Sequence, residues 1–164
     1  MAIDTTTGSP TADSYVSVAE ADAYHSKRGN TAWAGVAADD KESALVRATG
    51  YVDAEYSWKG VRASAGQALA WPRYDVRTDG YPVDPDVVPQ RVKDAVCELA
   101  LKTRTGELSP DISPQQVVEQ TVGPITRKFA PAERNGGQKR YAYVDSLLRQ
   151  LVAGGGGQIR LVRA

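Results

Sequence analysis

Basic and aromatic side chains interleave in the last third of the sequence: Arg127, Lys128 and Phe129, then Arg134, then Lys139, Arg140, Tyr141 and Tyr143. Cations in such a run neutralise a phosphate backbone, and the rings between them stack on bases. Together they hold single-stranded nucleic acid without reading its sequence. The same residues also suit a solvated basic rim over core aromatics. The chain has 20 Lys and Arg against 20 Asp and Glu, a net charge of zero, which argues against a surface devoted to DNA. The charges are unevenly spread. Residues 1–60 hold five basic and nine acidic side chains, residues 61–112 seven and eight, and residues 113–164 eight and three. An acidic front and a basic back suit head-to-tail contact between copies, or a basic end facing nucleic acid.

Catalytic sets are missing from the sequence. A Ser or Cys nucleophile needs a base, usually His, and His25 stands alone on a helical face with no G-x-S-x-G elbow in the chain. Cys97 is the one cysteine. One Cys and one His cannot close a zinc site, and Cys97 lies beside an apolar stripe that marks it for packing. Asp79, Asp84 and Asp86 are spaced by Gly and Pro, as in a solvated turn, without EF-hand spacing. The four glycines 154–157 follow a helix, and no Lys-Ser/Thr comes after them, so they read as a linker and not as a phosphate loop. The expectation is a protein without enzymatic activity, metal or cofactor.

The elements around these residues are mostly helical. Residues 1–14 are small and polar and read as a flexible arm. Ser17 caps a helix with Glu20 as its capping-box partner, and Gly29 ends it. Residues 29–37 read as a loop. A second helix opens on an Asp cap near residue 39 and places Leu45, Ala48, Thr49, Val52 and Tyr56 on one face. Gly50 costs helix propensity and would allow close helix packing. Residues 58–87 are rich in Gly and Pro and without periodicity, which predicts a long irregular loop with one helical turn at residues 67–70. Within it, Trp71, Pro72 and Arg73 are expected to pin the loop: Trp71 buried against the flanking helices, Pro72 setting the exit direction, Arg73 capping a helix end or pairing with an acid. Pro89 reads as the first residue of the clearest helix, whose stripe is Val88, Val92, Ala95, Val96, Leu99 and Ala100. Residues 115–130 alternate and are interrupted at Gly123-Pro124, which predicts two short strands or one bent strand. A last helix carries Val144, Leu147, Leu148, Leu151 and Val152.

The fold class is therefore mainly α: a small bundle of about four helices with a long central loop, a short β-hairpin element and extended termini. The organisation is an arm over 1–14, one domain over 15–153, and a Gly linker with a basic-apolar tail over 154–164. No apolar run reaches the ~20 residues that span a bilayer, and the N-terminus lacks the pattern of a signal peptide. Both point to a protein without membrane contact.

Four fragments, SYVSVAEADAYHSKRG, ALVRATGYVDAEYSWKG, QALAWPR and VPQRVKDAVCELALKTRTGEL, together resemble the small head–tail connector (adaptor, or head-completion) proteins of tailed bacteriophages. The resemblance covers roughly residues 14–110. It implies a structural virion protein, made in the host cytoplasm, that forms a ring of twelve copies beneath the portal. Its partners would be other copies of itself, the portal protein, a downstream stopper or tail protein, and the packaged double-stranded DNA in the lumen. In that setting Ile159, Arg160, Leu161, Val162 and Arg163 would dock on the portal or a neighbour, and Arg127, Lys128, Arg134, Lys139 and Arg140 would face the DNA. Sequences of this kind are also described as DnaT-like single-stranded DNA-binding proteins of phage replication, which is the alternative reading.

Overall fold

The computed structural model describes residues 3–110, 117–121, 126–129 and 139–154, the two short segments 117–121 and 126–129 by their backbone. Five α-helices carry the fold: α1 (Val18–Lys27), α2 (Thr31–Ala34), α3 (Ala38–Glu55), α4 (Gln90–Lys102) and α5 (Ala142–Leu148). A 3-10 turn, Thr103–Thr105, extends α4. Three two-stranded antiparallel ladders complete the described residues: β1 (Val61–Arg62) with β2 (Arg73–Tyr74), β3 (Arg77–Thr78) with β4 (Tyr81–Pro82), and β5 (Val117–Thr121) with β6 (Thr126–Phe129). The protein is mainly α with small β elements.

Helix α4 is the centre and packs on α1, α3 and α5. Its apolar stripe recurs at helical spacing, so Val92, Ala95, Val96, Leu99 and Ala100 all fall on the inner side and are fully buried. From α3 come Leu45, Ala48, Thr49 and Val52, and from α5 Val144 and Leu148. Each large aliphatic side chain so buried contributes about 1.5–3 kcal/mol. Thr49 is polar but satisfied, its hydroxyl 3.2 Å from that of Ser14.

Helix ends follow local chemistry where that chemistry is present. Ser17 and Glu20 form a reciprocal capping box at the start of α1, and Gly29, at φ +68, follows its end. The start of α3 differs from expectation. Its N-cap is Ala37, and Asp39 and Asp40 lie inside the first turn, where their charge meets the helix dipole. Pro89 likewise stands just outside α4, in extended backbone.

Gly50 is exposed, and a Cβ built there meets no atom within 4 Å. It therefore plays no part in close helix packing. Gly50→Ala should stabilise the protein by about 0.5–1 kcal/mol, read as a rise in the urea midpoint with an unchanged slope.

Two regions are more ordered than their composition suggests. Residues 3–14 are joined by hydrogen bonds of their own and to the central loop. The Asp4 carboxylate accepts from the Thr6 N–H (2.9 Å), the Ser9 hydroxyl (3.0 Å) and the Thr11 hydroxyl (2.8 Å), and these donors hold it below the usual carboxylate range. The Asp4 carbonyl accepts from the Asp13 N–H, and the Ser9 carbonyl accepts from Ala68 N–H, tying this segment to the central loop. Short polar side chains supply their own turn here. The loop expected at 29–37 contains α2, where Trp33 is buried and its indole donates to Asp22 at 2.7 Å.

Helix α5 ends sooner than the apolar pattern suggests. The chain instead pairs with residues 57–59: Lys59 N–H donates to the Leu151 carbonyl at 3.0 Å, and Ala153 N–H to that of Ser57 at 2.7 Å. Backbone partners across the chain replace the last helical bonds, and Leu151 stays buried.

Candidate nucleic-acid interface

The central loop positions the candidate surface, so its construction comes first. Trp71 is 1% exposed and packs edge-to-face on Trp58, ring centres 5.6 Å apart. The Trp71–Pro72 peptide is cis, and both residues are buried. Gln67, also buried, bridges the loop: its side-chain carbonyl accepts from Ser64 N–H, and its amide donates to the carbonyls of Leu69 and Pro72. Asp53 of α3 anchors the same loop. Its carboxylate accepts from the Tyr15 hydroxyl at 2.6 Å and the Ala70 N–H at 2.8 Å, while the Tyr15 oxygen accepts from Trp71 N–H at 3.1 Å. Burial raises the pKa of Asp53 and that of Tyr15. The guanidinium of Arg73 donates to three carbonyls, those of Lys59 (2.7 Å), Ala70 (3.1 Å) and Gly60 (2.7 Å). It caps no helix and makes no ion pair with a described residue. No helical turn forms at 67–70, where the chain bends instead.

From this anchored loop two ribbons project. In β1–β2, Val61 lies opposite Tyr74 and Arg62 opposite Arg73. Gly60 makes the ribbon possible: at φ +69, a Cβ there would sit 2.0 Å from the Tyr74 carbonyl oxygen. Ribbon β3–β4 follows after Asp75 and Val76, with Tyr81 at 77% exposure. Val61, Arg62, Tyr74 and Arg77 are exposed as well.

The residues first considered for DNA contact fall into four groups. Lys139 is exposed and donates to the Glu107 carbonyl at 3.0 Å, and it forms no ion pair with a described residue. Arg140 is exposed but bonded to Asp145 at 2.7 Å. Arg127 and Lys128 lie on β6, opposite Gln120 and Glu119 in the backbone register. Arg134 and the tail residues Ile159, Arg160, Leu161, Val162 and Arg163 lie outside the described residues. Of the nearby rings, Tyr143 is exposed, whereas Tyr141 packs against Tyr51 and donates to the Leu108 carbonyl.

The remaining reactive groups are built into the fold. His25 is buried, its Nδ1 3.0 Å from the Asn30 amide, and burial lowers its pKa. Cys97 is buried and its thiol is pushed up to about 12, chiefly by burial, the opposite of an activated nucleophile. Asp79 pairs with Arg91 and accepts from Gln150, and Asp84 accepts from the Asp86 N–H. Among the described residues no three His, Cys, Asp or Glu side chains are grouped to hold a metal ion, and no helix is long and apolar enough to cross a membrane.

The described structure thus defines a helical domain whose central loop presents cations and exposed rings on short ribbons. The chain belongs to the family described as "Putative DnaT-like ssDNA binding protein", whose model matches residues 1–164. No curated protein and no solved structure matches it. The family match does not support a connector identity.

Proposed function

We propose that this protein binds single-stranded DNA, with little sequence preference, and acts by binding and not by catalysis. The match of the whole chain to the DnaT-like family carries this reading. The surface chemistry agrees with it. Lys59, Arg62, Arg73 and Arg77 form no ion pair with a described residue, and Lys139 donates a hydrogen bond to a backbone carbonyl. Exposed Tyr74, Tyr81 and Tyr143 offer rings to stack on. The buried His25 and Cys97 offer no nucleophile or base at the surface.

Fluorescence anisotropy with a labelled oligothymidylate tests the reading. With about four phosphates neutralised, log K should fall against log salt with a slope of about −3, or roughly 50-fold between 50 and 200 mM. Absent binding, or binding indifferent to salt, would overturn it.

A second reading rests on the four fragments that resemble phage connectors and on the pairing of many surface cations. Lys93 is bonded to Glu20 and Arg140 to Asp145, and Arg104 is paired with Asp40. Such pairs leave less charge for DNA and suit a protein that works by geometry in a ring, whose neighbouring contacts must be heterologous. Co-sedimentation with capsids that carry their portal separates the two. Capture by capsids with no single-strand affinity would favour the connector.

A further inference from the structure

The β1–β2 ribbon sets two like charges opposite each other. Arg62 and Arg73 face each other directly across the ladder. Like charges in that position destabilise a two-stranded pair. The conflict is built in, because Arg73 cannot swing away while its guanidinium is held by the Lys59, Gly60 and Ala70 carbonyls. Neither arginine forms an ion pair with a described residue. The Asp53 carboxylate attracts both but is engaged by Tyr15 and Ala70 behind the loop. Lys59, two residues before the ribbon, adds a third cation. The alternate rung of the ladder is the exposed pair Val61 and Tyr74, at 58% and 45% exposure. Among the described residues the ladder consists of these two strands alone.

We propose that the β1–β2 ribbon is the principal contact for the sugar-phosphate backbone of a single strand, with Arg62 as the phosphate ligand and Tyr74 as the stacking ring. The inference rests on the single-strand reading and assigns it a place. Successive residues of a strand face opposite sides. A nucleic-acid strand draped over the ribbon edge therefore meets the arginine pair on one side and the ring on the other. A bound phosphate relieves the Arg62–Arg73 repulsion, and Arg73, fixed by three carbonyls, is already oriented for it. Neutral backbone acceptors hold that guanidinium in place without cancelling its charge.

The test compares the full-length protein with Arg62→Ala, Tyr74→Ala and the double variant Lys139→Ala/Arg140→Ala, using labelled oligothymidylate. All four altered side chains are exposed, and unchanged melting temperatures verify folding. The expected result is that Arg62→Ala lowers the salt slope by about 0.7, one phosphate on a single strand. Tyr74→Ala should weaken affinity at least fivefold, and the Lys139/Arg140 variant should have the smaller effect. Binding by the parent that is untouched by Arg62→Ala and Tyr74→Ala but lost in the double variant would overturn this assignment and leave the single-strand reading standing. No binding by the parent would overturn both.

Discussion

Trp71→Ala should lower the stability of this protein by about 3–5 kcal/mol, the range for large core truncations. For a domain of this size that is a fall in melting temperature of roughly 6–20 °C. The physical reason is the position of the indole. Trp71 is 1% exposed, lies edge-to-face on Trp58, and belongs to the same core cluster as Leu45, Val92 and Leu99. Its removal opens a cavity between elements that cannot collapse freely, because the loop is also fastened through Asp53, Gln67 and Arg73. The indole N–H finds no acceptor among the described residues. Trp71→Phe should therefore cost less than its loss of volume alone suggests. Tyr81→Ala, at 77% exposure, is the control and should change stability by less than about 0.5 kcal/mol. A melting temperature unchanged by Trp71→Ala would show that the loop is not held by this side chain.

Tyr15→Phe should have the next largest effect, about 2–4 kcal/mol near neutral pH. The hydroxyl has two duties: it donates to Asp53 and accepts from the Trp71 N–H. Removing it leaves one buried donor without a partner, at about 1–3 kcal/mol, and one partly buried carboxylate with a bond fewer, at about 1 kcal/mol. The loss should depend on pH in a defined direction. Burial already places the pKa of Asp53 above its ordinary 3.8, while the Tyr15 hydroxyl pulls it down. A carboxyl with a raised folded pKa binds its proton more readily in the native state. Its penalty is absent below the unfolded pKa and grows as pH rises through the folded one. Without Tyr15 the folded pKa rises further and that window widens. Urea denaturation should thus show a larger deficit for Tyr15→Phe at pH 7 than at pH 4. An equal deficit at both pH values would show that the hydroxyl does not stabilise an ionised Asp53.

Helical content, the α4 stripe and the α1 capping box were legible in the sequence because each rests on local spacing. Periodicity marks an apolar face wherever the helix docks, and Ser17 with Glu20 closes a box of four residues. The β5–β6 pair was legible for the same reason, as alternation broken by Gly123-Pro124. The ribbons β1–β2 and β3–β4 were not. Their strands are two residues long, too short for any alternation, and β1 meets β2 only because Gln67, Asp53 and Arg73 fold the intervening chain. The order of residues 3–14 and the early end of α5 escaped for a related reason. Their backbone bonds go to distant partners, such as Ala68 and residues 57–59.

The candidate site divides in the same way. Sequence by itself brought out the basic and aromatic residues of the last third, since they are near one another in the chain. It could not pair Arg62 with Arg73, eleven positions apart, nor show that Arg140 pairs with Asp145 while Lys139 donates to a backbone carbonyl. Local propensity and spacing determined the helices and their buried faces. Which cations remain uncompensated, and which rings stay exposed, is a property of three-dimensional neighbours, and only the tertiary structure decided it.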